Sequence, residues 1–88
     1  MGLVPSPMRT QAILSFRMTT AGSFEVDLLD IGGRRVRRLG RADAVPAGTY
    51  RLPLDGRGDH GERLSPGVYF YRVRMPRSVE IGRFVIVR

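Results

Sequence analysis

Residues 23–39 read SFEVDLLDIGGRRVRRL, and their alternation decides the fold. From Phe24 to Leu28 every second residue is apolar, with Glu25 and Asp27 between them, a period of two that suits a strand with one dry and one wet face. Gly32 and Gly33 then supply the positive-φ positions of a tight hairpin, and residues 34–39 resume as the returning strand. With Gly32 at the centre of the turn, Val36 is expected opposite Leu28 and Arg37 opposite Asp27, so that apolar and charged faces match together. Phe24, Val26 and Leu28 are expected to be buried, and Glu25 and Asp27 to face solvent.

The same period recurs on either side. Residues 11–18 set Leu14, Phe16 and Met18 against Ser15 and Arg17. Residues 49–54 turn Tyr50, Leu52 and Leu54 inward, and Pro53, which cannot donate to a ladder, marks a sheet edge. Residues 68–74 align Tyr69, Tyr71 and Val73. Residues 79–87 close the chain as a strand apolar on both faces from Phe84 onward, a pattern expected of a central or covered strand. Residues 40–48 read as a connection ending in the V-P-A-G turn, and a short extended segment is expected near Arg63 and Leu64. No stretch carries a sustained helical stripe. About seven short strands with frequent turn signals predict an all-β, immunoglobulin-like antiparallel sandwich over residues 9–88, preceded by a linker over residues 1–8. Val36, Ile86 and Phe84 complete the predicted core.

The chain has 88 residues, no cysteine and a formal charge of +7. That length suits one domain with a modest core, and the absence of thiols excludes a disulfide framework or a thiolate metal site. All fifteen basic residues are arginine. The densest cluster is R-R-V-R-R-L-G-R, where Arg35, Arg37, Arg38 and Arg41 form a candidate patch for polyanions. Their alternating positions also suit a solvated sheet face answered by carboxylates on the next strand. Neither an aromatic stacking platform nor a helical reading element accompanies the charge, so specific nucleic-acid binding is not expected. No run is long enough for a membrane span, and nothing near Met1 has the pattern of a signal peptide.

Several blocks, taken in order, carry a resemblance. These are P-S-P at residues 5–7, T-Q-A-I-L-S-F, F-E-V-D-L-L-D-I-G-G-R-R-V-R-R-L, the long block from V-P-A-G-T-Y to G-V-Y-F-Y-R-V, and the terminal R-F-V-I-V-R. Together they resemble the FlgD-type immunoglobulin-like domain of the flagellar hook-capping protein. They are equally similar to the C-terminal sorting domains of secreted bacterial proteins of the type IX secretion kind. The most specific part is D-G-R-x-D-x-G-x-x-L-x-x-G-V-Y-F-Y, on which Asp55, Gly56, Gly61, Gly67, Tyr69 and Tyr71 form the turn and core motif. Leu54 stands where the family commonly has tryptophan, and Ser6 where it commonly has asparagine. The resemblance implies a sandwich without catalysis or cofactor, in a secreted or envelope setting with protein partners.

The loop at residues 55–63 also raises chemical readings. Arg57, Gly58 and Asp59 spell the triplet that integrin-type receptors read in a turn, but short triplets of common residues arise readily by chance. Asp55, Asp59 and Glu62 are oxygen donors whose spacing fits no helix-loop-helix calcium site, and Arg57 and Arg63 compete for them. His60 has no second histidine for a metal, and Ser65 lies beyond it in a turn of its own. The expectation is a turn that delivers Tyr69 and Tyr71 to the core. The chain is then a non-catalytic C-terminal module of a larger secreted bacterial protein, monomeric or weakly dimeric alone. Its rivals are a hook-cap-like assembly module and a polyanion-binding domain.

Overall fold

In the computed structural model the described residues are 2–4 and 11–87, the first three by backbone only. The boundary expected at residue 8 lies outside them. The strands are β1 (Gly2–Val4), β2 (Ala12–Met18), β3 (Gly22–Leu29), β4 (Arg35–Val45), β5 (Gly48–Leu54), β6 (Gly67–Met75) and β7 (Ser78–Ile86). They form a three-stranded sheet in the order β1-β2-β5 and a four-stranded sheet in the order β4-β3-β6-β7. All pairings are antiparallel. The result is the predicted two-sheet sandwich. Six of the expected strands form; the segment near Arg63 makes only an isolated bridge, Arg57 to Arg63.

The core follows the alternation. Leu14, Phe16 and Met18 of β2 face Phe24, Val26 and Leu28 of β3, with Tyr69, Tyr71, Val73, Phe84 and Ile86 from the β6–β7 hairpin, and all are buried. Leu54 and Leu64 close one end. Phe16 and Phe24 meet edge to face with ring centroids 5.0 Å apart, a favourable arrangement of ring quadrupoles across the sheets. Each fully buried side chain of this size stabilises the fold by about 1.5–3 kcal/mol before entropy is counted. Val36 and Leu52 are half-buried rather than fully buried: they pack against the core from the edge strands β4 and β5.

Four local expectations are corrected. Residues 40–45 are not a connection: β4 continues as an eleven-residue strand to Val45. Its pairing with β3 breaks register between Leu28 and Leu29 and between Val26 and Asp27, which leaves Val36 and Leu39 as extra residues, and a third time between Gly22 and Phe24. Such bulges increase local twist and let a strand wrap the sandwich. Gly40 sits where Leu52 crosses, since a Cβ there would stand 2.9 Å from a Leu52 methyl.

The first bulge also shifts the hairpin by one. Arg38, not Arg37, lies opposite Asp27, and Arg37 lies opposite Leu28. Asp27 is on the outer face as expected but does not face solvent: it is 1% exposed, because arginines from both neighbouring strands close over it. Finally, β7 is neither central nor covered; it is an edge strand, with Val79 58% and Ile81 61% exposed on its outer face.

Candidate functional site: the 55–67 loop and the arginine-bearing face

The loop after β5 is held by its own residues. Asp55 Oδ1 accepts the Arg57 backbone N–H at 3.1 Å and the Arg37 guanidinium at 2.8 Å. Gly56 and Gly61 take φ of 74° and 80°, a left-handed backbone that side chains disfavour. Gly56 O accepts the Leu64 N–H, and Arg57 reaches across to Gly61 O at 3.0 Å. Gly58 and Glu62 pair through the Gly58 N–H, while the Glu62 carboxylate takes the His60 N–H. His60 itself is exposed.

Asp59 does something the sequence did not foretell. Its N–H donates to Val36 O at 2.9 Å, and its Oδ1 accepts the Arg38 N–H at 2.9 Å. The loop therefore docks on the outer edge of β4 at its first bulge, and Arg35 lies 3.7 Å from the second carboxylate oxygen. Of the RGD triplet, Asp59 makes this clip, and Arg57 bonds Gly61 O within the loop. Asp55, Asp59 and Glu62 point to three different tasks, and among the described residues no three acidic, histidine or cysteine side chains converge on one point.

Gly67, at φ 146°, starts β6 and brings Tyr69 into the core with its hydroxyl donating to Ser65 O at 2.7 Å. Tyr50 repeats the device: its hydroxyl donates to Pro46 O at 2.5 Å, with Gly48 at φ 152° two residues before it. Each corner ties a turn to the strand that follows, as the tyrosine corner of immunoglobulin-like sandwiches does. Tyr71 packs over Gly82, its cross-strand partner, where any Cβ would run into the ring and hydroxyl. Burial, with a smaller contribution from Glu80, raises the Tyr71 hydroxyl above its ordinary pKa.

The arginine patch proves to be an ion-pair lattice. Arg38 Nε lies 2.9 Å from Asp27 Oδ1 and Arg72 3.2 Å from Oδ2, so the buried carboxylate is held from both neighbouring strands. Burial alone would raise the Asp27 carboxyl, but the hydrogen bonds and charges of Arg38 and Arg72 outweigh it and hold the pKa below the ordinary value. Glu25 sits between Arg38 at 3.8 Å and Arg74 at 3.6 Å. Arg37 meets Asp55, and Arg41 meets Asp43 at 3.7 Å. All four arginines singled out by the sequence thus face carboxylates. A shallow depression of about 170 Å³ beside Glu25, Arg41, Asp43 and Arg74 is likewise lined by charges that already answer one another. Arg72 and Arg74 were missed in the sequence, although Y-R-V-R alternates them onto the same outer face as Glu25 and Asp27.

Neither a protein-family model nor a curated protein matches the chain. Among solved structures it is similar to part of the dimeric latent PorU from Porphyromonas gingivalis, with TM-score 0.69 and 23% identity over 98% of this chain and 9% of that one. It is also similar to part of PorZ, described as an essential bacterial surface component of the type-IX secretion system of the same organism. There the TM-score is 0.64, with 22% identity over 99% of this chain and 11% of the other. The likeness is one of fold. The chain spans about a tenth of each of these proteins.

Proposed function

We propose that the chain is a non-catalytic module of a larger secreted bacterial protein, serving its export and sorting, its surface attachment or its assembly, with sorting of the type IX kind the leading role. The observation that carries this reading is the match of nearly the whole chain to about a tenth of two much larger proteins, one of them a type-IX secretion surface component. A domain that recurs as one piece within larger chains acts through its surface and its neighbours. The loop chemistry supports the same view, because Asp55, Arg57, Asp59 and Glu62 are spent on holding the fold. The partners are then proteins of the envelope or secretion machinery or adjoining domains, and the location is the cell surface or the medium. The FlgD-like sequence pattern leaves a hook-cap-like assembly role on the same scaffold as the rival.

The test fuses the 88-residue chain to the C-terminus of an exported reporter in a host with type IX secretion. Reporter at the surface or in the medium, dependent on that system, is the expected result. Reporter retained in the periplasm with the domain folded and intact would count against sorting.

A further inference from the structure

The free edges of the sandwich are not treated alike. On the four-stranded sheet, the β4 edge is interrupted by three register shifts and blocked at Val36 and Arg38 by Asp59. On the three-stranded sheet, the β5 edge carries Pro53. These are recognised devices against edge-to-edge pairing. The β7 edge has none of them: it pairs with β6 in unbroken register from Gly67–Ile86 to Met75–Ser78 and contains no proline. Among the described residues nothing pairs with its other side.

We propose that the β7 edge is a self-association surface, and that its occupant is β7 of a second copy of this chain, antiparallel about a two-fold axis at Gly82. Met75 and Ser78 close the two-residue turn, so even-numbered residues of β7 direct their backbone groups to β6. Val79, Ile81, Arg83 and Val85 direct theirs outward. A two-fold at Gly82 pairs Val79 with Val85 of the second copy and Ile81 with Arg83, and so satisfies all four outward residues of each strand.

The side chains agree with this register. On the outer face Val79, 58% exposed, meets a valine, and Ile81, 61% exposed, meets the aliphatic stem of Arg83. On the inner face Glu80 meets Phe84, and the two Gly82 residues present no side chain to each other, with the Tyr71 ring of each copy lying over its own Gly82. Shifting the axis to Arg83 places like charges directly opposite, which is destabilising. Shifting it to Ile81 leaves Val85 of each copy without a partner residue on the other strand. A single strand pair buries less than a standard interface, so a weak dimer is expected, with Kd on the order of 10–1,000 μM.

The experiment is sedimentation equilibrium on the wild-type chain and on Ile81→Glu and Ile81→Lys. Both substitutions remove the same apolar group at an exposed site. Their contact with Arg72 across the intrachain ladder is common to monomer and dimer. In the proposed register residue 81 faces Arg83 of the second copy twice, so Ile81→Glu should dimerise about tenfold more tightly than Ile81→Lys. The cysteine-free chain allows a second readout. Oxidising a mixture of Ile81→Cys and Arg83→Cys should give the mixed disulfide in preference to either homodimer, since hydrogen-bonded antiparallel partners lie about 5.5 Å apart. A wild-type chain monomeric at about 1 mM, equal dimerisation of the Glu and Lys variants, or preferential cross-linking of Ile81→Cys with itself would each overturn the proposal.

Discussion

Asp27 and Arg38 lie directly opposite each other in the β3–β4 ladder, joined by a 2.9 Å bond from Nε to a carboxylate that is 1% exposed. A bulge one turn of the hairpin away makes this pair. Without the extra residue at Val36, Arg37 would stand there, and the guanidinium that now reaches Asp55 would be lost to the loop. One backbone irregularity thus serves two contacts, one binding the sheet across its strands and one binding the 55–63 loop to the sheet.

Asp27 should dominate the acid limb of stability. Its folded pKa lies below the ordinary value near 3.8, so its contribution is fully present above that value and is lost as pH falls through the lower folded pKa. Asp27→Asn keeps the shape but leaves Arg38 and Arg72 without their anion, at a cost of about 3 kcal/mol at neutral pH. The gap between wild-type and variant urea midpoints should hold from neutral pH down to the ordinary value near 3.8 and narrow as pH falls below it. Parallel profiles across that range would remove the buried carboxylate from the account.

Gly82→Ala should disturb Tyr71 more than the change of one methyl suggests. The Cβ enters the volume of the Tyr71 ring, so either the ring swings out or the strands part, at about 1–3 kcal/mol or more for an overpacked site. With the ring displaced toward water, the Tyr71 hydroxyl should titrate nearer its ordinary value than in the wild type, where burial raises it. Tyrosinate absorbance against pH, with a thermal melt, reads both effects. An unchanged melt and titration would show that the ring does not depend on this close approach.

The sandwich was legible because one face of each strand is apolar: Phe16, Val26, Tyr71 and Phe84 sit where period two places them. Bulges were not legible. R-R-V-R-R-L-G-R offers the same residue types to a regular strand and to one that gains a residue at Val36 and Leu39, and the choice between them is made by β3 and by the loop docking on the edge. The burial of Asp27 was hidden for a related reason, since an acidic residue in an outward position reads as solvated until the arginines on both flanking strands are in register with it. The edge position of β7 was misread because Phe84 and Ile86 face the core while Val85 and Val87 are only half-buried on the outer side. Periodicity counts apolar residues on two faces and does not say whether a neighbour strand exists.

The RGD triplet should be inert in cell adhesion and active in folding. Asp59 bonds the β4 edge through both its backbone and its carboxylate. Asp59→Ala should therefore cost about 1 kcal/mol, the scale of a lost hydrogen bond to a backbone donor. Cells plated on the wild-type domain and on Asp59→Glu should attach alike. Attachment to the wild type that the Glu variant abolishes would show that the triplet is presented to receptors despite the clip.

Polyanion binding should be weak, salt-sensitive and centred away from the cluster that the sequence advertises. Arg35, Arg37, Arg38 and Arg41 each have a carboxylate within 4.0 Å, whereas among the described residues Arg17 and Arg51 have no ion pair. These two project from the exposed face of β2 and β5, one ladder step apart, where Ser15 opposes Arg51 and Thr49 opposes Arg17. No acidic residue lies on either strand. On a heparin column the chain should elute below physiological ionic strength, where screening has shortened the reach of its net charge of +7. Arg17→Gln and Arg51→Gln should each lower the magnitude of the salt slope of binding by about one, as expected for loss of one anion contact. Arg41→Gln should leave it nearly unchanged. Retention that persists at physiological salt and is lost with Arg41→Gln would return the site to β4 and promote a polyanion-binding role over the sorting one.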